Sequence, residues 1–178
     1  MPSKTEGGLR HTTAFYMPSI VAYLMEAAAL EQLVKDIVSM SCALKDKYTD
    51  QKDARVNYAC VFSHNNEEYE ELVRTSHCIG NVIDDTPTGP LFHTKSLETV
   101  SGPVKLLKIR KPDKNRPERG NADFTVTQYE SFKVICLSKP AFKLIQRPKF
   151  EMIELAAKEF DVLAYFSNPP LDEQFGIS

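Results

Sequence analysis

The residues able to do chemistry in this chain are few, and most lack partners at a useful spacing. His11 falls in a polar leader, His64 precedes the pair Asn65-Asn66 at a helix start, and His77 stands in the last turn before Gly80. A histidine there can satisfy carbonyls at the helix C-terminus and favour the helix dipole. His93, in the strand-like run LFHT, is the best placed of the four for a pocket, against the ordinary reading of a structurally satisfied side chain. Cys42, Cys60, Cys78 and Cys136 show no close metal-ligand spacing and read as reduced, packed thiols. The run Lys105, Lys108, Arg110, Lys111, Lys114, Arg116 and Arg119 gathers seven of the 22 basic residues. It suits phosphate groups or RNA, with Tyr58, Phe92 and Phe124 as stacking surfaces, or else a solvated connector balanced by Asp113 and Glu118. The connector is favoured, since the net charge is −2 and no RNA-binding signature occurs. No glycine-rich phosphate loop, nucleophile elbow or HExxH is present, which removes several large enzyme classes.

The elements that must position these residues are more legible. Residues 1–16 mix Gly, Ser, Thr and charge without period and read as a flexible leader. Within 17–48, Ile20, Leu24, Ala27, Leu30, Val34, Ile37, Val38 and Leu44 recur at helical spacing after Pro18, predicting an N-terminal helical extension. A polar linker follows, and then the period changes. Strand 56–62, a helix capped by Asn65 or Asn66 and closed by Gly80, strand 81–83, a turn at 84–89, strand 90–94, a loop to 103 and strand 104–110 complete one module.

After the connector 111–120 the order repeats: strand 122–127, helix 128–135, and strands 142–146, 150–155 and 162–167. Val56-Asn57-Tyr58-Ala59 aligns with Ala122-Asp123-Phe124-Thr125, and Glu68-Tyr69-Glu70-Glu71-Leu72 with Gln128-Tyr129-Glu130-Ser131-Phe132, as in an internal duplication. The expected fold is therefore α+β: two βαβββ-like modules (55–111 and 121–168) forming a curled, cup-shaped mixed sheet behind a helical arm. The tail 169–178 is expected to lie extended over the domain or to reach a partner, with Leu171 and Phe175 as anchors.

Hydrophobic residues make up 42% of the 178, enough for a real core. The apolar stretch 19–40 carries Glu26, Glu31, Lys35 and Asp36, so it does not read as a membrane span. No secretory signal pattern is evident, and the expected location is cytoplasmic.

Three stretches, VNYACVF at 56, GPLFHTKSLETVSGPVKLLKIRKP at 89 and RPERGNADF at 116, together with FEMIEL at 150 and the helical arm, resemble the vicinal oxygen chelate superfamily of glyoxalase and extradiol dioxygenase relatives, and within it the YecM-like proteins. The resemblance implies a cup in which two histidines and a glutamate hold a divalent metal. The histidine positions fall here on Asn57 and Asp123, and the glutamate on Glu154. It thus implies a pocket containing Asn57, His93, Asp123 and Glu154. Any metal on Asp123 and Glu154 would sit on oxygen donors, favouring Mg, Mn or Ca over Fe or Zn. As a carboxylate pair, Asp123 and Glu154 would also suit general acid–base work. The alternative leaves Asn57 and Asp123 capping strand ends and Glu154 facing solvent.

The expected function is a small-molecule binding protein or divergent enzyme with a degraded metal site. The alternative is an interaction or assembly module, a homodimer included, that uses the helix and tail. Neither membrane nor nucleic acid is an expected partner. An open cup would favour the ligand reading, and a cup filled by large side chains the assembly reading.

Overall fold

The computed structural model describes residues 19–177. The leader expected at 1–16 lies outside the described residues. The helix α1 (Ile20–Tyr48) starts at Ser19, whose side chain accepts a hydrogen bond from the Ala22 amide. Leu30, Val34, Ile37, Val38, Ser41 and Leu44 form its buried face at intervals of three and four residues. Lys45 on the same face is fully enclosed. Its ammonium is satisfied by Asp46 and by the carbonyls of Gln51 and Lys52, and it lies 5.4 Å from the Phe124 ring centroid.

The first module comprises β1 (Arg55–Phe62), α2 (Asn66–Ser76), β2 (Gly80–Thr86), β3 (Gly89–Thr99) and β4 (Gly102–Arg110). Asn65 caps α2 by accepting from the Glu68 amide at 2.9 Å. The second comprises β5 (Gly120–Thr125), α3 (Tyr129–Leu137), β6 (Phe142–Gln146), β7 (Glu151–Leu155) and β8 (Val162–Asn168), followed by the one-turn helix α4 (Leu171–Gln174). The strands form one sheet in the order β2-β3-β4-β1-β5-β8-β7-β6. Each module contributes the same order outward from the centre, with its first strand parallel to its fourth (β1 to β4, β5 to β8). The modules meet at the antiparallel pair β1–β5, where Ala59 faces Ala122. This is the two-module α+β sheet expected from the repeat, with the helical arm in front of it.

One face of the sheet carries α1, α2 and α3. Val56, Ala59, Val61, Leu107, Ile109, Ala122, Phe124, Ile153, Leu155 and Phe166 point into that side and share a core with Val34 and Ile37 of α1. Buried apolar surface on this scale is the main term holding the fold together. The helix meets the seam closely: a Cβ added at Gly120 would stand 2.2 Å from the Cys60 carbonyl oxygen and 2.9 Å from Ile37 Cδ1. Only glycine fits there.

Two boundaries differ from the sequence expectation. The loop predicted after residue 94 is strand as far as Thr99, and the turn predicted from residue 84 shrinks to residues 87–88. Register shifts between Val82 and Asp84 and between His93 and Leu97 interrupt the two-residue alternation in both places. The tail folds back instead of running extended. Leu171 packs with Leu91 and Leu106, while Phe175 stays partly exposed. Among the described residues, no helix is long and apolar enough to cross a membrane.

Candidate functional site

The opposite face of the sheet curls around a cavity of about 410 Å³. Alternation within the strands supplies its walls. On β1, Tyr58, Cys60 and Phe62 face it while Ala59 and Val61 face the helices; on β4, Lys108 and Arg110 do so around Ile109. The second module adds Asn121, Asp123, Met152, Tyr165 and Ile145, and Leu171, Gln174 and Phe175 close one side.

Asp123, with no exposed surface, forms the centre of the floor. Its Oδ1 accepts from Asn57 Nδ2 at 3.0 Å and from the Ser167 amide at 3.2 Å, and its Oδ2 accepts from the Ser167 hydroxyl. Asn57 reaches it because the register slips between Val56 and Tyr58, which turns an extra residue of β1 toward β5. Asn57 also donates to Thr125 Oγ1 at 3.0 Å. Burial raises the Asp123 carboxyl to about 6, against the lowering effect of the Ser167 and Asn57 hydrogen bonds. Every donor to this acid is neutral, so none holds it ionised as a cation would.

Glu154 accepts from the Tyr165 hydroxyl at 2.6 Å and pairs with the Arg116 guanidinium at 2.8 Å. In register, Asp123, Tyr165 and Glu154 stand side by side on β5, β8 and β7. Two strand spacings separate the acids by about 10 Å between Cα atoms, with Tyr165 between them. They form no hydrogen-bonded carboxylate pair. Of the four residues expected in the pocket only Asp123 lines the cavity: His93 is exposed on β3, and Asn57 and Glu154 are buried behind the lining.

The donor set does not fit Mg, Mn or Ca. Hard cations take six or more oxygens, whereas both Asp123 oxygens already serve protein donors and Glu154 already neutralises an arginine. Among the described residues, no group of three or more His, Cys, Asp or Glu is arranged to hold a metal.

Positive charge marks the cavity more than any acid. Lys108, Arg110, Arg116 and Arg147 line it, against the two acids Asp84 and Asp123. Arg116 is paired with Glu154; Arg110 pairs with Asp113 at 2.7 Å and stacks 5.1 Å from the Phe62 centroid. Lys108 donates to Thr86 Oγ1 at 2.7 Å, and among the described residues neither it nor Arg147 forms an ion pair. Burial lowers the Lys108 ammonium, Arg110 and Arg147 add to that, and the Asp84 carboxylate opposes it. Cys60 beneath it is an un-ionised thiol, pushed up to about 11 by burial.

Sequence reasoning passed over these cations as a solvated connector. The signal was the alternation KLLKIR in a strand, which sends Lys108 and Arg110 to one face. Arg147, from the far module, left no such signal.

No family model matches the sequence, and no curated protein matches it. Among solved structures, one described as structural genomics protein EC4020 superposes with a TM-score of 0.59 at 11% identity, covering 86% of this chain and 93% of that one. The likeness is one of fold. A glyoxalase/bleomycin resistance protein/dioxygenase superfamily member from Vibrio splendidus 12B01 aligns with a TM-score of 0.45 at 8% identity, over 64% of this chain and 97% of that one.

Proposed function

We propose that this chain is a YecM-like relative of the vicinal oxygen chelate superfamily whose cup binds a small organic anion through the protein's own donors, without a divalent metal. The observation that carries the reading is an open cavity of about 410 Å³ whose wall holds four cations against Asp84; two of the cations, Lys108 and Arg147, form no ion pair among the described residues. A cation held at a partly dry, concave surface is most stable when an anion completes it, and the aromatic walls suit an apolar body. Asp123, which changes protonation near pH 6, gives the floor one group able to exchange a proton with what is bound. Binding alone and binding followed by proton transfer both lie within this reading.

Titration calorimetry with hexanoate, alongside neutral hexanol, tests it. The acid should bind and the alcohol bind at least about tenfold more weakly, and Lys108→Met with Arg147→Met should remove that difference. Equal binding of acid and alcohol, or an unchanged double variant, would sink the proposal.

A second reading, self-association through α1, rests on Ile20, Val21, Leu24 and Met25, each at least 60% exposed. Sedimentation decides it: a monomer across the concentration range removes it.

A further inference from the structure

Beside the charged wall lies a polar side chain left without a partner by the fold. Asn121 lines the cavity, is only 6% exposed, and has an Oδ1 atom that is enclosed and accepts no hydrogen bond. Of its neighbours, Ser167 donates to Asp123 and the Cys60 thiol to the Val61 carbonyl. A buried carbonyl without a donor is costly, and proteins keep such groups where a ligand completes them.

The position of Asn121 fixes what would complete it. Lys108, Cys60 and Asn121 occupy one register row across β4, β1 and β5. Two strand spacings put the Cα atoms of Lys108 and Asn121 about 10 Å apart. The residue between them, Cys60, presents an uncharged thiol, and Tyr58 and Phe62 flank it on the same strand. A ligand lying across the row meets positive charge at one end, an apolar middle, and an amide seeking a donor at the other. A hydroxyl suits that end best, because it donates to the amide oxygen and can also accept from the amide nitrogen.

We propose that Asn121 sets specificity in the cup by reading a hydroxyl at the end of a short organic anion opposite its charge. This rests on the anion reading above and narrows the ligand class to short hydroxy acids.

The probes are hexanoate and ω-hydroxyhexanoate, which differ by one hydroxyl, titrated calorimetrically into the full chain and into Asn121→Leu and Asn121→Ser. The wild type should prefer the hydroxy acid by about tenfold, the ratio expected of one satisfied buried hydrogen bond. Leucine, of similar size, should abolish or reverse the preference. Serine, too short to reach, should abolish it as well and gives the same readout where leucine disturbs folding. A general loss of structure would lower both affinities together and leave their ratio intact. No preference in the wild type, or a preference surviving in both variants, overturns the role of Asn121 while hexanoate binding upholds the anion reading. Failure of both acids to bind the wild type overturns both.

Discussion

Replacing Asp123 by asparagine should make the protein more stable at neutral pH, although it removes a fully buried group with three hydrogen bonds. The folded protein holds the Asp123 proton up to about pH 6, whereas the unfolded chain releases it near the ordinary value of 3.8. Below 3.8 both states are protonated and the acid costs nothing. Between the two values only the unfolded state ionises, so folding loses stability as pH rises, and above about 6 the loss is complete. The difference of 2.2 units corresponds to about 3 kcal/mol at 1.36 kcal/mol per unit. Asparagine can keep the geometry: its oxygen accepts from Asn57 and the Ser167 amide, and its NH₂ donates to a rotated Ser167 hydroxyl. The assay is thermal unfolding of both proteins from pH 4 to 8, read as the difference in Tm. At acid pH the two should nearly coincide; at pH 7.5 the variant should melt roughly 6–12 °C higher, taking 2–4 °C per kcal/mol for a chain of this size. Glu68 and Glu159, held low chiefly by Arg119 and Lys47, titrate alike in both proteins and cancel. A flat difference, or one in which the wild type gains on the variant with rising pH, would refute the raised carboxyl.

Two further substitutions probe the ion pair behind the cup wall and the helix beneath the seam. Glu154→Gln leaves Arg116 without its counter-charge while keeping an acceptor for Tyr165, and should cost about 1–3 kcal/mol in urea unfolding, below the range for fully buried pairs because Arg116 is partly exposed. The same variant should bind hexanoate about two- to fivefold more tightly, since the freed guanidinium faces the cavity; weaker binding would mean that Arg116 does not act on the ligand. Ile37→Ala opens a hole between α1 and Gly120 and should cost about 2–5 kcal/mol by the same measurement. A loss under about 1 kcal/mol would show α1 to be a dispensable arm.

The modules were legible because their inner strands are short runs rich in apolar residues, bounded by polar segments. VNYACVF and VKLLKIR read as strands at once, and the repeated element order gave the pairing of the halves. Where a bulge breaks alternation, reading failed: β3 beyond Thr94 looked like loop, and nothing in the sequence marks the slip that turns Asn57 toward Asp123. His93 shares a register row with Leu106, but β3 meets the cavity at Leu91, so a histidine on a plausible strand ends up in solvent. Asn121 and Arg147 reach the cup only through the seam and the curl of the second module. Long-range closure of that kind has no local sequence period to report it.

The seam also explains why the floor and the wall differ in character. Two equivalent modules would place like residues on either side of the β1–β5 pair, but the slip at Asn57 puts an amide from one against a carboxylate from the other. An amide hydrogen-bonds the carboxylate without bringing a positive charge, so burial dominates and the acid keeps its proton to about pH 6. Had an arginine or a metal stood there, the acid would be ionised and the floor would carry charge. With a neutral floor, the field in the cup comes from its wall, where Lys108, Arg110, Arg116 and Arg147 outnumber Asp84. The proposed anion would turn its charge toward Lys108 and Arg147 and lay its body across Cys60 toward Asn121. Ionisation of Asp123 above pH 6 would oppose that charge, so the acid that limits stability also limits the affinity of the cup for anions.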